Sequence, residues 1–248
     1  MILGVLQARV SSSRFPGKVM KSILGTPMIL LHIERIKRCR RIDQLVVATT
    51  TDPTDDPLVK VCESHGITVY RGSLSDVLSR FVGAAERYRS AVVVRLTGDC
   101  PLADAQLIDL AIDTFLSGDY DYLSNVDPPT YPDGLDVEVL SYSALLDASA
   151  RARSPSEREH VTPFIRNHPE NFRIGALKQN VDQSTLRWTV DYPEDFEFVR
   201  LVYEALYPSN PRFDTADILA LMDRRPELAR INSNIAPNEG LMKSVAAD

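Results

Sequence analysis

The sequence predicts an α/β fold with a mainly parallel central sheet, in a single domain spanning residues 1–248. Short apolar runs alternate with longer amphipathic segments over the first two-thirds of the chain, as expected when crossover helices join parallel strands. The short runs are rich in Val, Ile, Leu and Thr, which favours strands buried on both faces. No repeat, low-complexity tract or long linker separates a second domain.

Four strands and three helices are expected in the first hundred residues. The strands are predicted at residues 2–6, 45–50, 67–70 and 91–96. The first helix should begin at Thr26 and Pro27, a plausible N-cap and first-turn pair, and run to about Arg41. A second helix should start at Asp56 and end before Gly66. The apolar stripe of a third helix consists of Leu78, Phe81, Ala85 and Tyr88.

The second half of the chain predicts a small β extension and closing helices. Helices are expected at 105–116, 156–167, 194–206 and 215–223, and strands at 135–140, 172–178 and 186–190. The last two strands resemble a hairpin. The Pro-rich stretch 127–133 is the most loop-like segment, and long ordered loops often carry function.

Composition restricts the classes of partner and the compartment. The chain has 34 acidic and 28 basic residues and a formal charge of -6, which argues against a long nucleic-acid track. Its three cysteines form no C-x-x-C pair, so a disulfide framework or zinc ribbon is not expected. The apolar run 2–6 is too short for a signal peptide or a membrane span. We therefore expect a cytoplasmic protein without nucleic-acid or membrane partners.

The densest chemical signal is the loop that follows the first strand. It brings together the cations Arg9, Arg14 and Lys18 and the hydroxyls of Ser11, Ser12 and Ser13. At the carboxyl end of a strand in an open α/β sheet, this mixture suits a polyphosphate. The alternative interpretation is a solvated basic loop, because Lys and Arg are mostly exposed.

Two common phosphate-binding motifs are excluded. A Walker A loop requires a glycine where Ser12 stands and a hydroxyl residue where Val19 follows Lys18. A dinucleotide fingerprint requires three closely spaced glycines in the first turn, and Gly4 and Gly17 are too far apart to supply it. The loop must therefore bind phosphates by another design.

The loop pattern Q-A-R-x-x-S-x-R-x-P-G-K resembles the opening of the cytidylyltransferases that activate acidic sugars, in particular their SpsF-type branch. The resemblance continues in order through residues 71–73, 97–102, 159–163 and 188–195. It implies a Rossmann-like nucleotidyltransferase fold related to the GT-A glycosyltransferases. It also implies CTP and a small anionic or sugar-like acceptor as substrates, and a homodimer assembled through residues 127–140.

The resemblance and the loop together give a predicted nucleotide site. Its residues are Gln7, Ala8, Arg9, Ser11, Ser12, Arg14, Lys18, Arg71, Ser73, Asp76, Gly98 and Asp99. By resemblance, the turn Arg71–Ser73 with Asp76 and Arg80 contributes to recognition of the base. Ser73 can equally be read as a helix cap.

Two aspartates are predicted to hold Mg²⁺. Asp99 follows the strand 91–96 through Gly98, whose backbone freedom allows a turn. Mg²⁺ usually takes one or two protein carboxylates and leaves its other positions to water and phosphate. The resemblance adds Asp191 as the second ligand, although this residue could also simply cap the helix that follows. The expected catalytic residues are Arg14, Lys18, Asp99 and Asp191.

The acceptor is expected to contact four residues in the second half of the chain. Asp136 and Glu138 should project to one face of the strand 135–140, although both could instead point to solvent. Arg158 could bind an acceptor carboxylate or phosphate, and His160 could accept a proton. A lone helical histidine is more often structural, so the role of His160 stays open.

The predicted reaction is attack of an acceptor oxygen on the α-phosphorus of CTP with loss of pyrophosphate. Two alternatives remain at this point. A nucleotide-sugar-dependent glycosyltransferase would share the sheet and the acidic metal site but would release a nucleoside diphosphate. A nucleotide-binding sensor would bind CTP without turnover.

Overall fold

The computed structural model describes residues 1–12 and 14–235, which form an α/β fold on a seven-stranded sheet. The strands are β1 (Ile2–Gln7), β2 (Ser22–Ile23), β3 (Thr26–Pro27), β4 (Gln44–Thr50), β5 (Thr68–Gly72), β6 (Val92–Thr97), β7 (Tyr122–Ser124), β8 (Glu138–Ser141) and β9 (Ile174–Ala176). The order across the large sheet is β5-β4-β1-β6-β8-β7-β9, and β2 pairs with β3 separately. The first four of these are parallel, while β8 runs antiparallel to β6 and β7. The mainly parallel sheet and its small β extension are thus confirmed.

Helices connect and cover these strands. They are α1 (Met28–Ile36), α2 (Asp56–Ser64), α3 (Val77–Arg87), α4 (Ala105–Ser117), α5 (Tyr142–Arg151), α6 (Pro155–His160), α7 (Pro163–Asn167), α8 (Pro193–Leu206) and α9 (Thr215–Arg224). Among the described residues, no helix has the length and apolar character needed to cross a membrane. The single-domain prediction for residues 1–248 reaches past the described residues and stays a prediction.

The central strands are buried on both faces, as predicted. On β1, Leu3 and Val5 pack with the apolar side of α3, whereas Leu6 belongs to a second cluster with Met28 and Ile29 of α1. All five side chains are fully buried. Successive strand residues point to opposite faces, so a strand covered by helices on both sides needs apolar residues at every position.

The parallel register brings the ends of β1 and β6 together. Gln7 pairs with Thr97, so the loops after both strands leave from the same edge of the sheet. At this edge Gly98 donates its N–H to the Gln7 carbonyl at 2.8 Å. A Cβ at position 98 would lie 2.9 Å from that of Ala8. Because Gly98 is not among the positive-φ glycines, the site requires glycine for close backbone approach rather than for the predicted conformational freedom.

The predicted start of the first helix is wrong. Thr26 and Pro27 form β3 and pair with Ser22–Ile23, and the helix begins at Met28 and ends at Ile36. Leu24 and Gly25 connect the two short strands with φ values of 51° and 81°. Two successive positive-φ residues are typical of a tight hairpin turn, which takes the chain out of helical conformation before Met28.

The helix predicted at 156–167 is two helices. It breaks at Val161, whose φ is 73°, and α7 starts again at Pro163. Proline has no backbone N–H to donate and its ring clashes with the preceding helical turn, so Pro163 fits only the beginning of a helix. The break turns the chain at the rim of the cavity described below.

The predicted hairpin of 172–178 with 186–190 does not form. β9 pairs in parallel with β7, whereas residues 186–190 form no strand among the described residues and make an isolated bridge between Arg187 and Asp133. The backbone of this segment bonds elsewhere: Trp188 and Thr189 donate to the Asp133 carbonyl at 2.6 and 2.9 Å. Gly134 permits this approach, since a Cβ there would lie 2.4 Å from the Thr189 nitrogen.

Candidate functional site

A cavity of about 630 Å³ opens at the carboxyl edge of β1 and β6. One end lies against the loop after β1, and the other against β8 and the junction of α6 with α7. The predicted residues that line it are Gln7, Ala8, Arg9, Ser12, Arg14, Lys18, Gly98, Asp99, Asp136, Glu138, His160 and Asp191. Of the other predicted residues, Ser11, Arg71, Ser73, Asp76 and Arg158 are not part of its lining among the described residues.

At the end formed by Arg9, Arg14, Lys18, Asp99 and Asp191, called the β1 end, cations and carboxylates face each other. The buried Lys18 ammonium lies 3.3 Å from an oxygen of Asp99 and 2.9 Å from one of Asp191. It also donates to the Val190 carbonyl at 2.6 Å. Burial disfavours the ammonium, but the charges of Asp99 and Asp191 outweigh this and raise the pKa of Lys18.

Lys18 in turn favours the ionised form of Asp99. Burial opposes ionisation of Asp99, yet the nearby charge of Lys18 holds its pKa well below its usual range. Asp191 forms a second ion pair with Arg14, whose Nη2 lies 2.7 Å away. The Nε of Arg14 is buried without a hydrogen-bond partner among the described residues. This end therefore offers an unused donor beside the carboxylates of Asp99 and Asp191.

The loop after β1 is held by a buried acid that sequence reasoning missed. Asp55 accepts the Val10 N–H at 2.7 Å through one oxygen and the Thr49 and Thr50 hydroxyls at 2.8 and 2.5 Å through the other. Its side chain is fully buried. Asp55 therefore ties the start of the cationic loop to the end of β4.

The segment carrying Asp191 is held by another pair that sequence reasoning did not single out. Arg187 is buried, and its guanidinium donates one hydrogen bond to each carboxylate oxygen of Asp195, at 2.9 and 3.0 Å. It also reaches Asp133 at 3.1 Å. Asp195 in turn accepts the backbone N–H of Asp191 at 2.9 Å. In the segment Asp191–Asp195, the carboxylate of Asp195 thus holds the backbone in place, while the carboxylate of Asp191 faces the cavity.

The opposite end, formed by Arg95, Glu138, His160, Thr162 and Arg166 and called the β8 end, has a different character. Glu138 is buried, pairs with Arg95, and accepts hydrogen bonds from the Tyr122 hydroxyl at 2.5 Å and from the Thr162 hydroxyl at 2.7 Å. Burial opposes its ionisation, but Arg95 and these donors lower the pKa of Glu138. Both oxygens of Glu138 are therefore engaged within the protein.

Asp133 and Asp136 lie on the cavity wall between the two ends. Burial and the neighbouring charge of Asp133 raise the pKa of Asp136 to about 7. Burial raises the pKa of Asp133 to about 6, although Arg187 opposes the shift. These two acids consequently gain protons at a higher pH than ordinary aspartates.

His160 and Arg166 of the β8 end lie on the cavity wall. Burial lowers the pKa of His160 and so favours the neutral ring. The Nε of Arg166 is buried and has no hydrogen-bond partner among the described residues. Arg95 and Arg166 were not predicted as site residues, because an isolated arginine in a strand or a short helix carries no distinctive pattern.

Arg158, which was also predicted to bind the acceptor substrate, forms an ion pair with Asp76 and, among the described residues, does not line the cavity. Its guanidinium pairs with Asp76 at 2.6 Å, and Asp76 also caps α3 by accepting the Ser79 N–H at 2.9 Å. Arg158 further donates to the carbonyls of Ser149 and Ala152. Arg158 thereby joins the elements around α3, α5 and α6.

The residues predicted to recognise the base lie mostly behind the cavity wall. Arg71 donates to the Thr50 carbonyl at 2.8 Å and pairs with Asp56 at 2.8 Å. Arg80 does line the cavity, and it donates to the Ser73 carbonyl at 2.6 Å. Arg80 is thus placed to hold the turn after β5 in position.

The acids of the β1 end have donors suited to a hard cation. No group of three or more His, Cys, Asp or Glu that could hold a metal occurs in residues 1–12 and 14–235. Asp99 and Asp191 nevertheless converge on the Lys18 ammonium from two segments. Two carboxylates fit Mg²⁺ when water and phosphate oxygens complete its shell.

Comparisons with known proteins show the family of this chain. The family model for cytidylyltransferases matches residues 3–208. The spore coat polysaccharide biosynthesis protein SpsF of Bacillus subtilis is 33% identical over 237 residues, which cover 92% of this chain and 96% of that protein. A solved cytidylyltransferase structure from Leptospira borgpetersenii is 30% identical, with a TM-score of 0.89, and covers 95% of this chain and 98% of its own.

More distant solved structures share the fold. CMP:2-keto-3-deoxy-manno-octonic acid synthetase, solved with CTP, is 19% identical with a TM-score of 0.65 and covers 83% of this chain and 99% of its own. Rv0371c of Mycobacterium tuberculosis, solved in complex with manganese, is 17% identical with a TM-score of 0.55 and covers 79% and 96%. Because the family match spans most of the chain and the SpsF likeness extends over nearly all of it, this chain belongs to the cytidylyltransferase family of nucleotidyltransferases.

Proposed function

We propose that this protein is a Mg²⁺-dependent enzyme that transfers CMP from CTP to a sugar acid or a related anionic acceptor and releases pyrophosphate. The observation that carries the proposal is the convergence of Arg14 and Lys18 on the carboxylates of Asp99 and Asp191 at one end of the cavity. Family membership supports nucleotidyl transfer. The CTP-bound octonic acid synthetase supports CTP and a sugar acid as substrates.

Asp99 and Asp191 are the residues that would hold the divalent cation. The manganese complex of a protein with the same fold supports a divalent metal, and the oxygen donors of this site favour Mg²⁺. When bound, the cation would neutralise phosphate charge and stabilise the leaving pyrophosphate. Since Lys18 now contacts both carboxylates, its ammonium would have to share them with the cation or turn towards the phosphates.

The cationic loop would bind the triphosphate. Arg14 offers its unpartnered Nε, and Arg9 is exposed on the cavity wall. Lys18 adds a third positive charge close to the carboxylates. Guanidinium groups bind phosphate oxygens through paired donors, whereas an ammonium acts as a compact charge. Gly98 allows the loop after β6 to approach Gln7 and Ala8 closely, since a Cβ there would lie 2.9 Å from that of Ala8.

The acceptor would enter at the β8 end. His160 and Arg166 line that end, and Arg166 carries a buried donor without a partner. A guanidinium in this position would attract an anionic group on the acceptor. Glu138 supports the wall through Arg95 rather than offering a free carboxylate.

The chemical step follows from this placement. An acceptor oxygen attacks the α-phosphorus of CTP, the bond from that phosphorus to the oxygen bridging to the β-phosphate breaks, and pyrophosphate leaves in line. Where the acceptor oxygen belongs to a hydroxyl, its proton is released to solvent. Arg14 and Lys18 stabilise charge on the triphosphate and on pyrophosphate as it departs. Positioning and charge stabilisation account for most of the catalysis in phosphoryl-transfer reactions of this kind.

A pyrophosphate-release screen tests the proposal. The purified protein is incubated with CTP, Mg²⁺ and a panel of sugar acids, sugar phosphates, polyol phosphates and phosphonates, with ATP, GTP and UTP as controls. We expect stoichiometric pyrophosphate and CMP-linked product with CTP and at least one acceptor. CTP binding without product across the whole panel would instead support a nucleotide sensor. The homodimer and the cytoplasmic location stay predictions.

A further inference from the structure

The carboxylate of Asp195 is the centre of a buried network behind Asp191. It is fully buried and accepts five hydrogen bonds, from two nitrogens of Arg187, from the backbone of Asp191 and Tyr192, and from the Asn232 amide. A buried carboxylate is tolerated only when such donors and a positive charge compensate its lost hydration. Removal of a donor should therefore disturb the network as a whole.

This network contacts both the backbone and the side chain of Asp191. Asp195 holds the Asp191 N–H at 2.9 Å, and the Arg187 guanidinium lies 3.6 Å from the second carboxylate oxygen of Asp191. Arg187 also pairs with Asp133 at 3.1 Å. The backbone and the side chain of Asp191 are thus both restrained by groups on the side away from Lys18.

Asn232 completes the network from a part of the chain beyond residue 208, where the family match ends. Its side chain is buried, and its amide nitrogen donates to the Arg187 carbonyl at 3.0 Å and to Asp195 Oδ1 at 2.8 Å. One side chain therefore bonds both members of the Arg187–Asp195 pair. The segment around Asn232 contains only a short turn, the 3₁₀ helix Leu228–Arg230, so packing of a long helix does not explain why Asn232 is buried.

We propose that Asn232 is a positioning residue for the metal-binding carboxylate, acting on Asp191 through Asp195 and Arg187. This inference rests on the proposed function, because it assumes that Asp191 holds a divalent cation. It extends the site to the C-terminal part of the chain. Asn232 itself touches neither the cation nor the substrates in this scheme.

The test compares Asn232→Ala with a control variant at Asn210, which lies between α8 and α9. Asn210 donates its amide to Asp217 at 3.1 Å, and Asp217 occupies the same position in the first turn of α9 as Asp195 does in α8. Asn210→Ala thus removes an amide–carboxylate bond from a helix cap that is not part of the cavity wall. If the alanine variant does not fold, Asn232→Ser replaces it in the test, because the serine hydroxyl can donate one hydrogen bond in place of the amide.

The readout is the affinity for Mn²⁺ in the presence of CTP, measured by water proton relaxation, together with the Mg²⁺ dependence of turnover. Loss of a hydrogen bond to a buried charged group should weaken the apparent metal affinity roughly tenfold. Turnover should be largely restored at saturating Mg²⁺, and the KM for CTP measured there should stay within about twofold of the wild-type value. Asn210→Ala should leave the metal affinity unchanged.

Three results would overturn the inference. The first is an unchanged metal affinity in folded Asn232→Ala while the wild-type protein is active. This result would exclude the positioning role of Asn232 but would not contradict the proposed function. An equal loss of metal affinity in Asn210→Ala would show a general effect of lost stability. If the wild-type protein neither turns over nor binds Mn²⁺ with CTP, the proposed function fails, and the assignment of Asn232 fails with it.

Discussion

The two ends of the cavity use charged residues in opposite ways. At the β1 end, Lys18 is shared between Asp99 and Asp191, and the side chain of Asp99 is 32% exposed. At the β8 end, Glu138 is 3% exposed and is held by Arg95, Tyr122 and Thr162 together. Charges that pair across a cavity can exchange protein partners for ligand charges, whereas a fully satisfied buried group resists exchange. We infer that the β1 end serves chemistry and that Glu138 serves the scaffold.

The largest effect should follow a charge change at the β1 end. Asp99→Asn keeps the shape of the side chain but removes the charge that faces Lys18 and would hold the cation. Turnover at saturating CTP and Mg²⁺ should fall by about two to three orders of magnitude, measured as pyrophosphate release. Asp147→Asn, which changes an exposed pair with Arg151 on α5, is the control. Near-normal turnover in folded Asp99→Asn would contradict the role of Asp99.

A neutral substitution at the β8 end should instead reduce stability. Glu138→Gln leaves the Arg95 charge without its buried partner, so the free energy of unfolding should fall by about 3 kcal/mol, measured by urea denaturation. Glu34→Gln is a matched control, because Glu34 also accepts from an arginine and a tyrosine, Arg38 and Tyr207, but its side chain is 43% exposed. The control should lose less than about 1 kcal/mol. Equal losses in both variants would remove the distinction between the two ends.

The wall between the ends should make stability depend on pH. Folded Asp136 has a pKa of about 7, whereas an unfolded aspartate titrates near ~3.9. Between these values the folded protein binds more protons than the unfolded chain, so the free energy of unfolding decreases as pH rises. Above about pH 7 both states are ionised and this dependence ends.

Asp136→Asn should therefore flatten the stability curve between pH 5 and pH 7. The change should be of the order of 1 kcal/mol, measured by urea denaturation across the pH range. In the variant, the free energy of unfolding should still decrease somewhat as pH rises, because Asp133 has a pKa of about 6. Asp223→Asn, at an exposed position of α9, should reproduce the wild-type curve. A variant curve as steep as that of the wild type would place the titrating group elsewhere.

The β1 end could be predicted from sequence because its signals are local. The apolar run of β1 and the one at β6 mark two parallel strands, and residues that follow such strands meet at one edge of the sheet. Arg14 and Lys18 lie in the loop after β1, and Asp99 lies in the loop after β6, so the topology brings both loops to the same edge of the sheet. The resemblance contributed Asp191, which no local pattern separates from a helix cap.

The remainder depends on contacts between distant segments. Residues 186–190 have strand-like composition, but their N–H groups find the carbonyls of Asp133 and Asp99 instead of a strand partner. Asp136 and Glu138 both precede or begin β8, yet only Glu138 meets Arg95 and Tyr122. Those partners lie on β6 and β7, and β7 was not predicted. Alternation of polar and apolar residues predicts which residues share one face of a strand. It does not predict which side chains from other segments contact that face.

The smallest effect is expected for Arg71, which resemblance assigned to the nucleotide. Its guanidinium is satisfied by the Thr50 and Asp52 carbonyls and by Asp56, and it does not line the cavity among the described residues. Arg71→Ala should therefore change the KM for CTP by less than about threefold. Arg80→Ala is the informative companion, because Arg80 lines the cavity and holds the Ser73 carbonyl. A loss in CTP affinity as large for Arg71→Ala as for Arg80→Ala would mean that Arg71 leaves these partners to bind the nucleotide.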